Sequence, residues 1–535
     1  MLLVLIVLCP IAGAILIMLG FPARGTALYV SIATLLMTLV AFALFDEGSR
    51  EFQYVNSFAV STDWRINFAV GLDGLSLVMV LLAAIVTLAA VWFTGKIDPL
   101  RARRAADSTN QLGRPAPSGG RHDSGGVAVL KELPGSAGSG DNHEHAFYAC
   151  LLFISGGAIG AFASLDLFFF YAFHELALIP TFLLIGIWGS DNRSAAAWKI
   201  TIYLALGSFI LLLGLIMLYQ SVPIAARSFD IRTLQEAAGQ IAPSAQRNIY
   251  LILLVGFGIL ISLFPFHTWA PDAYAAAPAP AAMLHAGVLK KFGLYGLLRV
   301  AVPMLPEGAR YWTNLLLVLL LGNIIYIGLV TIAQRRLDRM LGYSSVMHMG
   351  YILLGIASAN LLGLTGASIL MFAHGLSIAL LFAIAGEVRK RTKTLVLSEL
   401  GGLAKVMPFA GLAFGLGAFA AIGLPGFANF PAEVMIFFGA FRNGFAMDRF
   451  HIFQIATVLA LWGVVMSAVY MLRAYRKVFM GAAPDERWKE VVDLRRSLRV
   501  PVALLVAALL WFGFYPQSLV RILTPVFQTY LQPQP

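Results

Sequence analysis

Runs of about 18 to 25 apolar residues recur along nearly the whole chain, each long enough to cross a hydrocarbon core of roughly 30 Å as a helix. Fourteen candidate spans follow: 2–20, 26–45, 72–94, 147–163, 166–188, 197–219, 248–264, 278–303, 311–333, 340–359, 361–385, 408–443 (broken), 451–472 and 498–515. The expected fold class is an all-α polytopic membrane protein. Of 535 residues, 59% are hydrophobic and 12% charged, which excludes a water-soluble protein of several domains. The first run has no charged n-region and no small-residue cleavage site before the next span, so it is expected to be retained in the membrane.

A net charge of +11 could point to nucleic acid, but the position of the positive charges points to topology. Most of the 38 Lys and Arg residues lie in loops after odd-numbered spans, including Arg335, Arg336, Arg339, the RKRTK run from Arg389 and eight residues between Arg473 and Arg499. By the positive-inside rule those loops face the cytoplasm, which puts both termini on the other side of the cell inner (plasma) membrane. Acidic lipid head groups are the partners such charges imply, and no nucleic-acid partner is expected. The two cysteines, Cys9 and Cys150, lie within apolar runs and offer neither a disulfide framework nor an iron–sulfur spacing.

Residues 1–95 hold three spans, and 96–146 read by composition as a flexible cytoplasmic loop. Near its end His143 and His145 flank Glu144, a pattern too short to specify a metal. A faint repeat organises the rest. Span seven ends ISLFPFHTWAPDAYAAAPAP and span twelve contains AIGLPGFANFPAEVMIF, so a proline-interrupted apolar helix recurs five spans later. Two such helices suggest a transporter built from two five-helix units, 147–303 and 311–472, with sites at the breaks. Because five is odd, the units are expected to be inverted copies. A basic cytoplasmic segment and a last transmembrane helix fill 473–535.

Ionisable residues inside the spans are the functional candidates. Glu175 lies in FFFYAFHELALIPTFLLIGIWG, and an unpaired carboxylate at that depth costs about 2.5–3.5 kcal/mol on insertion scales. Desolvation and a movable nearby cation would oppose each other on its proton affinity, which suits proton transfer; fixing a helix contact is the alternative. Its neighbour His174 faces another side of the helix and suits packing or relay equally. Lys290 and Lys291 lie deep in span eight; adjacent residues diverge by about 100°, so one of them, Lys291 by preference, is expected to face a polar interior. His348 and His374, beside small and hydroxyl residues, suit a relay or a neutral packed role. Glu433 follows the break in span twelve, where a helix N-terminus would favour its charge. The prolines of span seven leave backbone groups that protein or water must satisfy, with His267 and Asp272 near the end of a water-accessible break.

The motifs HELALIPTFLLIGIWG (174–189), PFHTWAPDA (265–273), HAGVLKKFGLYG (285–296), RRLDRMLGYSSVMHMGYI (335–352), AHGLS (373–377), GGLAKVMP (401–408), GLPGFANFPAEVMIFFG (423–439) and GLDGLS (71–76) make the chain resemble a known family. These are the antiporter-like membrane subunits of NADH–quinone oxidoreductase, respiratory complex I, the subunit M branch above all. The resemblance covers spans three to thirteen. It implies fourteen helices, two inverted half-channels and a polar axis through which electron transfer elsewhere drives protons. Glu175, Lys291, His348 and Glu433 match the family's acid, lysine, histidine and acid of spans five, eight, ten and twelve. No cofactor is implied on this chain; NADH, flavin, iron–sulfur clusters and quinone would belong to partner subunits, with the L and N subunits as membrane neighbours. A subunit of a multisubunit cation/proton antiporter or membrane-bound hydrogenase, or a non-conducting scaffold, shares the pattern. One departure stands out: Leu260 occupies the position where the family carries the lysine that partners the span-five glutamate. Two roles are open to Lys290: compensation, by turning toward the span-seven break, or contact with a lipid phosphate or a neighbouring subunit.

Overall fold

The computed structural model describes residues 1–61, 64–94, 140–190, 192–224, 227–443, 451–482, 488 and 490–531. Most of the loop expected over 96–146 lies outside them, but its last residues are already helical, since the helix leading into span four starts at Gly140.

Helices α1 (Leu2–Met18) and α2 (Ala23–Ala43) precede a hairpin of β1 (Gln53–Ser61) and β2 (Ile66–Leu72). The strands pair antiparallel, with Phe58 opposite Phe68. The span list left this segment as a loop, although QYVNSFAVS and INFAVGL carry the aromatic and β-branched residues of strands. α3 (Gly74–Thr94) follows directly and is buried throughout the span; it packs on α4 (Gly140–Ala163). α5 (Leu167–Trp188) is started by Asp166, whose carboxylate accepts from the Phe168 and Phe169 amides at 2.8 and 3.3 Å. Its second oxygen accepts from the Asn67 amide at 3.0 Å, so one cap ties the hairpin to the bundle. α6 (Arg193–Ser221) then packs along α7 (Pro243–Ile261).

α7 stops at Ser262, which has φ of 64°, and the helix resumes as α8 (Trp269–Ala276). Residues 279–304 form a third helical run, α9, interrupted by π turns at His285–Leu289 and Leu297–Ala301. α10 (Pro306–Ala333), with a π turn at Gly322–Tyr326, α11 (Leu337–Ala357) and α12 (Leu361–Thr392) are long helices. α13 (Pro408–Ile422) ends on Gly423, φ 81°, and resumes as α14 (Asn429–Arg442), so both breaks begin with a left-handed residue. α15 (Ile452–Phe479), α16 (Arg496–Phe514) and an amphipathic α17 (Gln517–Leu531) complete the fold; the span list did not include α17. Among the described residues, eleven helices are long and apolar enough to cross a membrane, and α1 and α13 are shorter apolar ones.

Buried side chains satisfy the backbone that the first break leaves open. Asn323 on α10 accepts from the Phe264 amide at 2.6 Å and donates to the Ser262 carbonyl at 3.2 Å and the Val346 carbonyl at 2.9 Å. Trp269 donates across the gap to the Ile259 carbonyl at 3.0 Å. Irregular backbone at membrane depth is tolerated only with such partners.

Candidate ion-translocation axis

Lys290 and Lys291 are both fully buried, although only one of them was expected to turn inward. The reason is that α9 is buried on every side from Pro280 to Ala301, so both lysines lie in the interior although they diverge around the helix. A π turn before them inserts one residue, and the Lys290 amide donates to the His285 carbonyl five residues back, at 3.1 Å. Lys290 Nζ then reaches Ser345 Oγ on α11 at 3.4 Å and sits 5.1 Å from the centre of the Tyr274 ring on α8. Lys291 Nζ donates back to the Ala286 carbonyl at 2.6 Å. His285, one turn earlier, places Nδ1 3.3 Å from the Tyr274 hydroxyl.

On α11, His348 is held between two carbonyls: Nδ1 faces Ser344 O at 2.7 Å and Nε2 faces Ala421 O, at the end of α13, at 2.9 Å. A neutral imidazole donates through one nitrogen and a protonated one through both. Both contacts are therefore hydrogen bonds only when the ring carries its second proton, which couples its charge to the second break. His374 on α12 lies edge-on to His348, with ring centres 5.2 Å apart. Glu433, one turn into α14, is buried with its carboxylate against Gly423; a Cβ there would sit 2.3 Å from Oε2, so glycine serves both the left-handed turn and the room for the acid. These helices bring Lys290, Lys291, His348, His374 and Glu433 into one connected region.

The other candidates make their direct contacts elsewhere. Glu175 on α5 is half-buried and accepts a hydrogen bond from Ser208 Oγ on α6, which also approaches the Tyr171 hydroxyl at 3.3 Å. Leu260 packs against Gly207, the residue before Ser208, so position 260 faces the Glu175 neighbourhood. Lys290 does lean on α8, beyond the span-seven break, yet its partners are Ser345 and Tyr274 while Glu175 bonds Ser208. His174 stacks face to face on Phe292 of α9, with centres 4.0 Å apart. His267 stacks on Phe264 at 5.8 Å and meets Tyr326 edge-on. Asp272 pairs with Lys199 at 2.8 Å and Arg339 at 3.3 Å.

Two ionic clusters mark opposite ends of the bundle. At the end carrying the odd-numbered loops, Asp338 pairs with Arg336 at 2.9 Å and with Arg389, which also donates to Ser190 Oγ and the Ala275 carbonyl, each at 3.0 Å. A cavity of about 1530 Å³ opens there, with Arg193, Tyr274, Asp338 and Arg389 among its walls. At the hairpin end, Asp73 and Arg299 form a buried ion pair, with Arg299 Nη1 2.6 Å from Asp73 Oδ2 and 2.7 Å from the Tyr530 hydroxyl of α17. Ser76 and Tyr295 complete that cluster. Arg299, Asn323 and Asn429 were missed as candidates from sequence, although an arginine within an apolar run was signal enough.

Two helices broken at depth, with buried lysine, histidine and glutamate side chains gathered beside them, define the antiporter-like class of membrane proteins. Residues 164–460 match the model of the NADH:quinone oxidoreductase/Mrp antiporter transmembrane family, and the chain belongs to that family. It is 30% identical to NADH-quinone oxidoreductase subunit M of Rickettsia prowazekii over 93% of this chain and 90% of that one. It is 34% identical to an NAD(P)H-quinone oxidoreductase chain 4 of Synechococcus sp. over 92% and 84% of the two chains. Among solved structures, a chain of respiratory complex I from Thermus thermophilus with bound NADH superimposes with a TM-score of 0.82 at 26% identity, covering 99% of both chains.

Proposed function

We propose that this chain is a proton-translocating membrane subunit of an NADH–quinone oxidoreductase. It conducts protons through the buried Lys, His and Glu axis while partner subunits carry NADH, flavin, clusters and quinone. The observation that carries this reading is the contact of Lys290 with Ser345, which joins the unit 147–303 to the unit 311–472, together with the His348–His374 pair beyond it. The two units act as inverted half-channels, and antiporter-like subunits of the L and N type flank the chain in the membrane arm. The charge pattern supports both termini on the non-cytoplasmic side of the plasma membrane, with the Asp338–Arg389 cluster at the cytoplasmic end.

Glu175→Gln keeps the shape of the side chain and its acceptor oxygen for Ser208 but removes titration. Proteoliposomes carrying the intact mutant complex are expected to lose most NADH-driven proton uptake while every subunit is retained. Full uptake by an assembled mutant would refute a proton-transfer role for Glu175.

Leu260→Lys restores a cation beside Gly207 and Ser208. If the Ser208 hydroxyl has taken over the partner role, Leu260→Lys is expected to preserve transport in Ser208→Ala, where Ser208→Ala alone lowers it several-fold, on the scale of about 1 kcal/mol for a hydrogen bond. Wild-type transport by Ser208→Ala alone would remove the hydroxyl from the path.

A further inference from the structure

Asn429 is the first residue of α14 after the second break; it is completely buried, and neither its amide oxygen nor its amide nitrogen has a hydrogen-bond partner. The same holds for both ring nitrogens of His374, for Glu433 Oε1 and for the Tyr351 hydroxyl. Buried polar groups nearly always have partners, so a cluster of unpartnered ones is a demanding local feature. These groups are also mutually close. Asn429 and Glu433 are four residues apart and share one face of α14. α14 runs antiparallel to α12: Gly439 lies on Gly363, and Met435 and Ile436 lie on Gly366. Stepping along both helices at the same rise brings Asn429 level with His374. Tyr351 meets His348 edge-on at 5.6 Å and Phe437, one turn past Glu433, at 5.5 Å.

We propose that Asn429 is a positioning residue whose amide holds a water through which a proton passes between His374 and Glu433. A buried water makes about three hydrogen bonds, and the amide offers donors and acceptors at once. It can therefore keep one water between an imidazole and a carboxyl whichever of them carries the proton. The proton leaves an imidazolium nitrogen of His374 for the water as the water gives one of its own to the Glu433 carboxylate, so the water is regenerated. Glu433 makes no ion pair among the described residues and has Tyr351 and Tyr470 as its titratable neighbours, whereas His374 is faced by His348 of α11 and by Lys290 and Lys291 of α9, whose charges drive a proton off the imidazole toward Glu433. The inference rests on the proton-translocation reading.

The test compares Asn429→Leu with Asn429→Asp in the intact complex in proteoliposomes, alongside Glu433→Gln. Leucine has similar bulk and holds no water; it is expected to lower proton uptake tenfold or more. Aspartate keeps the shape and the acceptor, and is expected to retain at least half of the uptake while shifting its pH profile, because a titrating group now stands in the path. An assembled Asn429→Leu complex with unchanged uptake overturns the proposal, as does equal impairment of both variants with the wild-type pH profile, which a purely packing role would give. If leucine prevents assembly, the pH profile of Asn429→Asp decides alone: a shift supports the role and an unchanged profile overturns it. Normal uptake by Glu433→Gln would instead overturn the underlying reading. Impaired Glu433→Gln beside normal Asn429→Leu removes Asn429 only.

Discussion

Methionine in place of Lys290 is expected to cut proton uptake by about a hundredfold, the scale on which positioned acid–base groups act, and to be as damaging as Lys291→Met. Lys290 makes the side-chain contact from α9 to Ser345 of α11, and Ser345 lies within one turn of His348. Methionine fills the same apolar volume without a proton to exchange, so the bundle should assemble while transfer between the two units stops. Lys291, folded back on the Ala286 carbonyl, holds its ammonium within the same helix and serves the same region from the next position. Proton uptake and NADH oxidation measured together on each assembled mutant complex give the comparison. A silent Lys290→Met beside an inactive Lys291→Met would leave the transfer to Lys291 alone and make the Ser345 contact a packing feature.

The second large effect is on stability. Asp73→Ala leaves the Arg299 guanidinium buried without its carboxylate, and breaking a buried pair in this way costs about 3–5 kcal/mol. The loss should be concentrated at the hairpin end, because Arg299 also holds Tyr530 of α17, Ser76 of α3 and Tyr295 of its own helix. Thermal unfolding of the purified complex and protease access to α17 are the measurements. Asp73→Leu with Arg299→Leu removes both charges and is expected to recover most of the loss. A single mutant as stable as wild type would mean that water reaches the guanidinium.

Much of the architecture was legible because membrane insertion is a local criterion. A run of apolar residues of the right length is a helix whatever its neighbours do, so α3, α5, α6 and α10 to α12 fall where composition put them. The breaks were legible for the same reason: proline and glycine interrupt a helix through their own backbone chemistry. The hairpin and α17 escape that criterion, since their signals are strand-forming residues and an amphipathic pattern rather than a long apolar run, and both gain their places by docking on the bundle. Of the candidate axis, the residue types were visible, because an ionisable group inside an apolar run needs a reason to be there.

What the sequence by itself determined is therefore the membrane bundle and the two interrupted helices, together with a set of candidate residues for the proposed axis: Glu175, His267, Lys290, Lys291, His348, His374 and Glu433. Only the tertiary structure decided who meets whom. Glu175 turns to the Ser208 hydroxyl, His174 stacks on Phe292, His267 lies against Phe264, and both lysines lie inside because α9 is surrounded by other helices. Asp73 and Arg299, more than two hundred positions apart in sequence, pair across the hairpin end. The reason is the range of the forces. Hydrophobic partitioning and backbone preference act on each segment alone, whereas a buried polar group is satisfied by whichever helix packing brings within about 3 Å, which no single segment encodes.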